Sequence, residues 1–375
     1  MKFLNIVHNS KINTGGKISH KLLMEGLEDK GHQIDFLSTE EYEEFRTFLM
    51  KDYMNVSFLG LRQRKVADQI RKKVDVEDYD YIYTNGYYSM PATLKACKNK
   101  EVETISHFRD YWFADVNGTF VGDDGEYYEN CNIRNIWNHN KKTRFLWNFY
   151  KFQYLKKLKS LFSTSDYNIA TSNSVSNELK DLNIDSKVVP NPVRIDKYRG
   201  ERKENKKFTA GFIGRLEQIK GTDVILKLIE RHPDIEFKIA GSGSEEERMR
   251  DYLKDKNNGE FCGWIDRSDV GEFYRSLDVT LYPSIVPEGF GRIAVESMAA
   301  GTPVIASNRG GLKDIVEDNK QGFLLNPTDV NSWSEALNKL KNNKNLHENM
   351  VKRAKERSES FTLNKHIDKF LQAIK

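Results

Sequence analysis

Cysteine, net charge and long hydrophobic runs are all in short supply in this chain, and each shortage closes off a class of function. Three cysteines, Cys97, Cys131 and Cys262, stand far apart, with no CxxC pair and no histidine at zinc spacing. They read as reduced thiols, which excludes a disulfide scaffold and a structural zinc site. Net charge is only +4, so there is no basic field to gather nucleic acid, and none is expected as a partner. No apolar run approaches the roughly 18 residues that a membrane-crossing helix needs. Residues 1–16 carry a short apolar run ending at His8, without a cleavage site, and read as a first strand rather than a signal peptide. A cytoplasmic protein is expected, in solution or peripheral on a membrane. GxGxxG is missing after that strand. Asn13-Thr14-Gly15-Gly16 stands there instead, which argues against a dinucleotide-dependent dehydrogenase.

What the chain has in quantity is alternation. Strand-like and helix-like segments follow one another nearly throughout, the mark of α/β architecture with parallel sheets. Strands are expected at 2–8, 33–37, 80–84, 103–107 and 167–171. After a Gly15–Gly16 turn, Ile18, Leu22, Leu23 and Leu27 share one face of a first helix, which Gly31 ends. Pro190-Asn191-Pro192 and the charged run 199–207 interrupt the pattern. It restarts with strands at 208–214, 236–240, 278–282, 303–306 and 322–325, and helices at 221–231 and 245–254. At 375 residues, 38% apolar and 30% charged, the chain suits two soluble domains, 1–195 and 205–358, with a last amphipathic helix within 359–375.

Two constellations carry chemistry. In the first, GFIGRLEQIKG (211–221), a strand ends at Gly214 and a loop bears Arg215 and Lys220 before a helix begins. Cations beside the positive end of a helix dipole cost energy unless an anion fills the space, and a diphosphate would fill it. A solvated loop with two surface cations remains the plainer alternative. The second, EGFGRIAVESMAAG (288–301), follows a strand with a carboxylate, two glycines, and a second carboxylate eight residues on. Carboxylates accept paired hydrogen bonds from vicinal hydroxyls, so Glu288 could hold a sugar and Glu296 a ribose. Ligands of open α/β sheets bind at this place, beyond the carboxyl ends of the strands.

With these strings, IAGSGSEEERM (239–249) and, more loosely, NTGG (13–16), IATSNSVSNEL (169–179) and VVPNPV (188–193), the chain resembles the retaining glycosyltransferases of family 4, the group 1 glycosyltransferases. The resemblance implies the GT-B fold: two Rossmann-like parallel-sheet domains facing each other across a cleft, the terminal helix packing back on the first. It implies that Arg215 and Lys220 meet the donor diphosphate and Glu296 the donor ribose. Glu288 and the amides of Gly289, Phe290 and Gly291 would hold the transferred sugar. Gly15 and Gly16 match the family's N-terminal glycine turn, and His107 its reaction-centre histidine, although a lone histidine at a strand end is more often structural. A hexosyl group would pass from a UDP- or GDP-sugar to a glycan or lipid-linked acceptor, with no metal and no cofactor. Leu312-Lys313-Asp314 departs from the family pattern after Gly310-Gly311, and 108–165 does not align.

Rivals are a sugar-nucleotide epimerase of the same fold, a glycan phosphorylase, for which the chain is short, and a catalytically silent sugar-nucleotide-binding subunit. The last would lack Glu288, Lys220 or His107, and all three are present. Asp78-Tyr79-Asp80 has the form of a manganese-holding DxD string but precedes its strand instead of following it. Residues 134–162 hold eight Lys or Arg and no acid, with Trp137, Phe145, Trp147, Phe149, Tyr150, Phe152 and Tyr154 interleaved among them. This is either a helix with an aromatic core face or a patch for an anionic membrane surface or lipid-linked diphosphate. The acidic, aromatic loop 110–129 just before it is a candidate acceptor-facing element.

Overall fold

The first apolar run, with Phe3, Leu4, Ile6 and Val7, forms β1 (Lys2–Val7), and burial of successive side chains marks a strand covered on both faces. The computed structural model describes residues 1–7, 15–42, 44–51 and 59–375. His8, Asn13 and Thr14, which the sequence assigns to the first strand and its loop, lie outside them. Helix Gly15–Asp29 returns the chain to β2 (Gln33–Ser38), burying Leu22, Leu23 and Leu27. Gly15 and Gly16 are therefore the first residues of that helix, not a turn ahead of it. Then come β3 (Arg46–Leu49), β4 (Tyr81–Asn85), β5 (Glu103–Phe108), β6 (Tyr167–Ala170) and β7 (Lys187–Val188). All seven pair in parallel, in the order β3-β2-β1-β4-β5-β6-β7.

A second sheet repeats the plan with β8 (Thr209–Ile213), β9 (Glu236–Ala240), β10 (Gly259–Gly263), β11 (Val279–Tyr282), β12 (Val304–Ser307) and β13 (Gly322–Leu325). Its order is β10-β9-β8-β11-β12-β13, again all parallel. In each sheet the order reverses beside the first strand, between β1 and β4 and between β8 and β11. That is where open parallel sheets part their loops and make room for a ligand.

Contacts divide the chain into two compact units, Met1–Asp124 with Tyr128–Pro192 and Leu363–Lys375, and Val193–Thr362 with Gly125–Tyr127. In the first unit, Ile367 and Phe370 of the terminal helix Leu363–Ala373 join Phe3, Leu23, Leu27 and Phe36 in one core. In the second, Phe212, Ile225, Ile239 and Trp333 centre the core.

Strand ends differ from the sequence reading by a residue or two. Three strands, β3, β7 and β10, carry no legible signal: all three lie at a sheet edge, β7 is only two residues long, and β10 has a glycine at each end. The stretch 134–162 is two helices, Ile133–His139 and Phe145–Phe162, joined through a turn at Lys142–Arg144. Among the described residues no helix is long and apolar enough to cross a membrane.

Candidate active site

The two loops singled out in the sequence leave neighbouring strands, β8 and β11, at the order reversal of the second sheet. After β8, a short turn, Gln218–Lys220, runs into helix Thr222–Arg231 through Gly221, which sits at φ +84°. A Cβ on Gly221 would meet the Pro283 carbonyl oxygen at 2.1 Å, so only glycine lets the two loops come this close. The backbone N–H of Ile285 donates to the carbonyl of Ile219 at 2.9 Å and ties them together.

This closeness joins two of the expected residues. The Lys220 ammonium lies 2.6 Å from Glu288 Oε1, with side chains only 15% and 16% exposed. Ser284 Oγ donates to the same oxygen at 2.8 Å. Burial pushes the Glu288 carboxyl up, but the Lys220 charge and hydrogen bond, with the hydroxyls of Ser284 and Tyr282, outweigh it and hold the carboxyl below its usual range. Tyr282 is pushed well up, first by burial and then by the Glu288 charge, while the Arg215 charge pulls the other way. Arg215 itself is exposed and pairs with Glu217 at 2.6 Å. The backbone of Glu288 is fixed from the far side, since Gly311 N–H donates to its carbonyl at 2.6 Å. Leu312, where the sequence departs from the family pattern, is fully buried behind this contact.

Glu296 is built differently. Gly291, at φ +105°, caps helix Arg292–Ala299, and a Cβ there would meet Leu312 Cδ2 at 2.6 Å. The helix carries Glu296 inward to 8% exposure. Arg292 Nε donates to its Oε1 at 2.6 Å and Tyr274 OH to its Oε2 at 3.3 Å. Gly289 and Phe290 lie between the two glutamates, Phe290 packed edge-on to Phe361. The sequence reading missed the partners of both glutamates. Ser284 and Tyr282 lie just upstream of the string and Arg292 one helical turn before Glu296, but Tyr274 belongs to another helix, which local spacing cannot reveal.

In the first unit, His107 lies near the end of β5, fully buried. Tyr83 OH lies 2.9 Å from its Nδ1 and Arg109 Nη2 3.3 Å. Burial first, then the Arg109 charge, hold its pKa well below the ordinary value, so the imidazole is neutral. Nδ1 accepting from Arg109 puts the ring proton on Nε2, which has no partner among the described residues. Around it gather His20, bonded to Asn5 at 2.8 Å, and His366 of the terminal helix, bonded to the Pro190 carbonyl at 2.7 Å.

Asp78 and Asp80 are spread over a turn and a strand entrance, with Asp80 accepting the Lys2 N–H at 2.7 Å. Among the described residues no three His, Cys, Asp or Glu side chains gather as ligands. Trp264, just past β10, is 71% exposed, and nothing in its local sequence announced that.

Residues 194–357 match the family model "Glycosyl transferases group 1", and residues 15–197 match "Glycosyltransferase Family 4". An uncharacterized glycosyltransferase of Haemophilus influenzae is 28% identical over 335 residues, 86% of this chain and 91% of its own length. A D-inositol 3-phosphate glycosyltransferase of Corynebacterium urealyticum is 35% identical over 144 residues, 35% of this chain and 34% of that one. The crystal structure of Anabaena HepE in complex with UDP matches with a TM-score of 0.76 at 17% identity, over 100% of this chain and 99% of that one.

Proposed function

Because the chain belongs to the group 1 and family 4 glycosyltransferases and has the GT-B fold, we propose that it moves a hexosyl group from a UDP- or GDP-sugar to a glycan or lipid-linked acceptor, with retention of anomeric configuration. The observation that carries this reading is the Lys220–Glu288 pair. A cation and a carboxylate held 2.6 Å apart and largely out of water gain little stability from each other, because desolvation offsets their attraction. They suit a place where phosphate and sugar hydroxyls arrive together. The UDP in Anabaena HepE supports a nucleoside-diphosphate donor.

The physical problem in the reaction is a diphosphate that gathers negative charge as its bond to the sugar breaks. Lys220 and the head of helix Thr222–Arg231 meet that charge in fixed positions, and Arg215 reaches it from the exposed side. Glu288, released from Lys220 as the phosphate takes its place, accepts the sugar hydroxyls, with the amides of Gly289, Phe290 and Gly291 beside it. Glu296 serves the ribose. In the first unit, Gly15 and Gly16 stand at the amide-rich head of a helix, which suits the diphosphate-binding role that the family resemblance gives them. The neutral His107, with its proton on Nε2, offers a hydrogen bond at the reaction centre without adding charge. No metal is required in this scheme.

The face formed by helices Ile133–His139 and Phe145–Phe162 supports membrane docking of this cytoplasmic enzyme. Leu146 is 80% exposed and Trp137 49%, beside exposed Lys141, Lys142 and Arg144. Apolar side chains open to solvent among cations suit an anionic bilayer surface.

Thermal-shift measurements with UDP-, GDP- and ADP-sugars, in EDTA, test the donor. One of them should raise the melting temperature. Glu296→Ala should weaken the free nucleoside diphosphate about tenfold, the scale of one lost charge-assisted hydrogen bond. Glu288→Ala should leave that affinity intact and weaken only the intact sugar nucleotide. Equal losses in both variants would contradict the division of labour.

A further inference from the structure

One cavity takes no part in the donor chemistry above. It lies wholly within the first unit and encloses about 360 Å³, inside the range of small-molecule sites, roughly 300–1,000 Å³. Its back is made by the loops that leave β4 and β5, so it opens where open parallel sheets bind ligands.

Its walls are aromatic and held from behind. Tyr87 meets Trp112 edge-on at 5.4 Å, and Trp112 rests on Phe108 and, edge-on, Phe162. Across the opening, helix Phe145–Phe162 contributes Trp147 and, one turn later, Lys151. Helix Leu59–Lys73 contributes Arg62, whose guanidinium lies 4.9 Å over the ring of Tyr88.

The electrostatics have a sign. Among the described residues of the lining Asp115 is the one carboxylate, and its oxygens are occupied. Oδ2 accepts the N–H groups of Asn117, Thr119 and Phe120 at 3.0–3.1 Å, and Oδ1 accepts from Tyr128 OH at 2.7 Å. That charge shapes the loop 115–120. Lys151 donates to the Val116 carbonyl at 3.2 Å, and burial lowers its pKa, a cost that an anion in the cavity would offset. Aromatic faces, negative at their centres, suit the C–H face of a sugar ring. Arg and Lys on separate helices suit an oxyanion.

Resting on the transferase reading above, we propose that this cavity is the acceptor subsite and takes a saccharide unit bearing an anionic group, a phosphate ester or a carboxylate. Trp147 and Tyr87 bracket the ring, and Arg62 and Lys151 hold the anion.

Tryptophan fluorescence of the full chain, with Trp112 and Trp147 as reporters, tests this by titration with a hexose phosphate, a hexuronic acid and the parent neutral hexose. The anionic sugar should bind about tenfold or more tightly than the neutral one, the scale of a charge-assisted hydrogen bond. Whichever anionic sugar binds identifies the group. Trp147→Ala and Lys151→Gln should each weaken it about tenfold, with unchanged melting temperature and unchanged nucleoside-diphosphate affinity. Trp112→Phe should retain most of the binding. Equal binding of the neutral hexose, or indifference to both Trp147→Ala and Lys151→Gln, overturns the proposal. If transfer proceeds with an acceptor KM indifferent to these variants, the cavity assignment falls and the transferase reading stands. If the anionic sugar binds here but no sugar nucleotide supports transfer, the reverse holds.

Discussion

The two units place their chemistry at the carboxyl ends of similar parallel sheets, but by different means. In the second unit the backbone does most of it. Gly221 and Gly291 sit at positive φ where a side chain would collide, backbone hydrogen bonds cross-tie the loops, and charge pairs fill the space between. In the first unit side chains do it: a buried set of neutral imidazoles around Tyr83 and Arg109, and a cavity walled by Tyr87, Trp112 and Trp147. The contrast fits the two ligands proposed above, a nucleoside-diphosphate donor for the second unit and a saccharide acceptor for the first. A diphosphate is always the same, and close backbone with fixed cations meets it. An acceptor has its own shape, and side chains drawn from several elements meet it.

Three changes should sharpen this contrast. The largest effect is expected at the surface of the first unit. Replacing Lys141, Lys142, Lys156 and Lys157 with Glu should abolish sedimentation with anionic vesicles, at about 1 kcal/mol per lost Lys, and leave donor binding intact. Wild-type protein that ignores such vesicles at low salt removes the membrane reading.

Next comes Lys220 in the second unit. Lys220→Ala should cut turnover by about a hundredfold or more, roughly 2.7–4 kcal/mol, with a smaller loss of donor affinity, because the charge it meets grows in the transition state. Initial rates and calorimetric donor titrations check this. Near-normal turnover would take the leaving-group role away from this loop.

The smallest is an acid effect centred on the first unit. His20, His107 and His366 are held neutral chiefly by burial, His366 with its pKa lowered to about 3. Unfolded, each would titrate near 6.5. Above that pH neither state takes up a proton. Below it the unfolded chain binds protons that the folded chain refuses, so stability falls as pH drops from about 6.5 toward 3. His366 contributes about 1.4 kcal/mol per pH unit across that window. His366→Gln should flatten the slope by one proton in urea melts between pH 6 and 4, and an unchanged slope would contradict its neutral burial.

The same contrast decides what was legible in the sequence. The strings 211–221 and 288–301 placed Lys220 and Glu288 on separate loops, because each loop's chemistry is local in the chain. That Gly221 packs on Pro283 and so brings the two together is a tertiary fact. Alternation of elements made the parallel sheets readable, but β3, β7 and β10 were missed, since short or glycine-bearing edge strands lack a pattern. Of the cavity, the loop 110–129 and the stretch 134–162 stand out in the sequence, but their meeting with Arg62 and Tyr87 does not. Arg62, Tyr87, Trp112 and Lys151 come from four separate stretches of chain, and nothing local in the sequence says that the four stretches meet. The basic aromatic stretch 134–162 was visible as composition, yet its break into two helices, which leaves Leu146 in solvent, was not.

Proton NMR of a transfer reaction tests the central claim most directly. An α-linked sugar nucleotide, an accepted saccharide and the full chain are followed in EDTA, and the first-formed product's anomeric coupling is read. The account predicts an α-linked product formed without divalent metal, and loss of that signal in Lys220→Ala. A β-linked product, or a reaction that waits for added manganese, would contradict it.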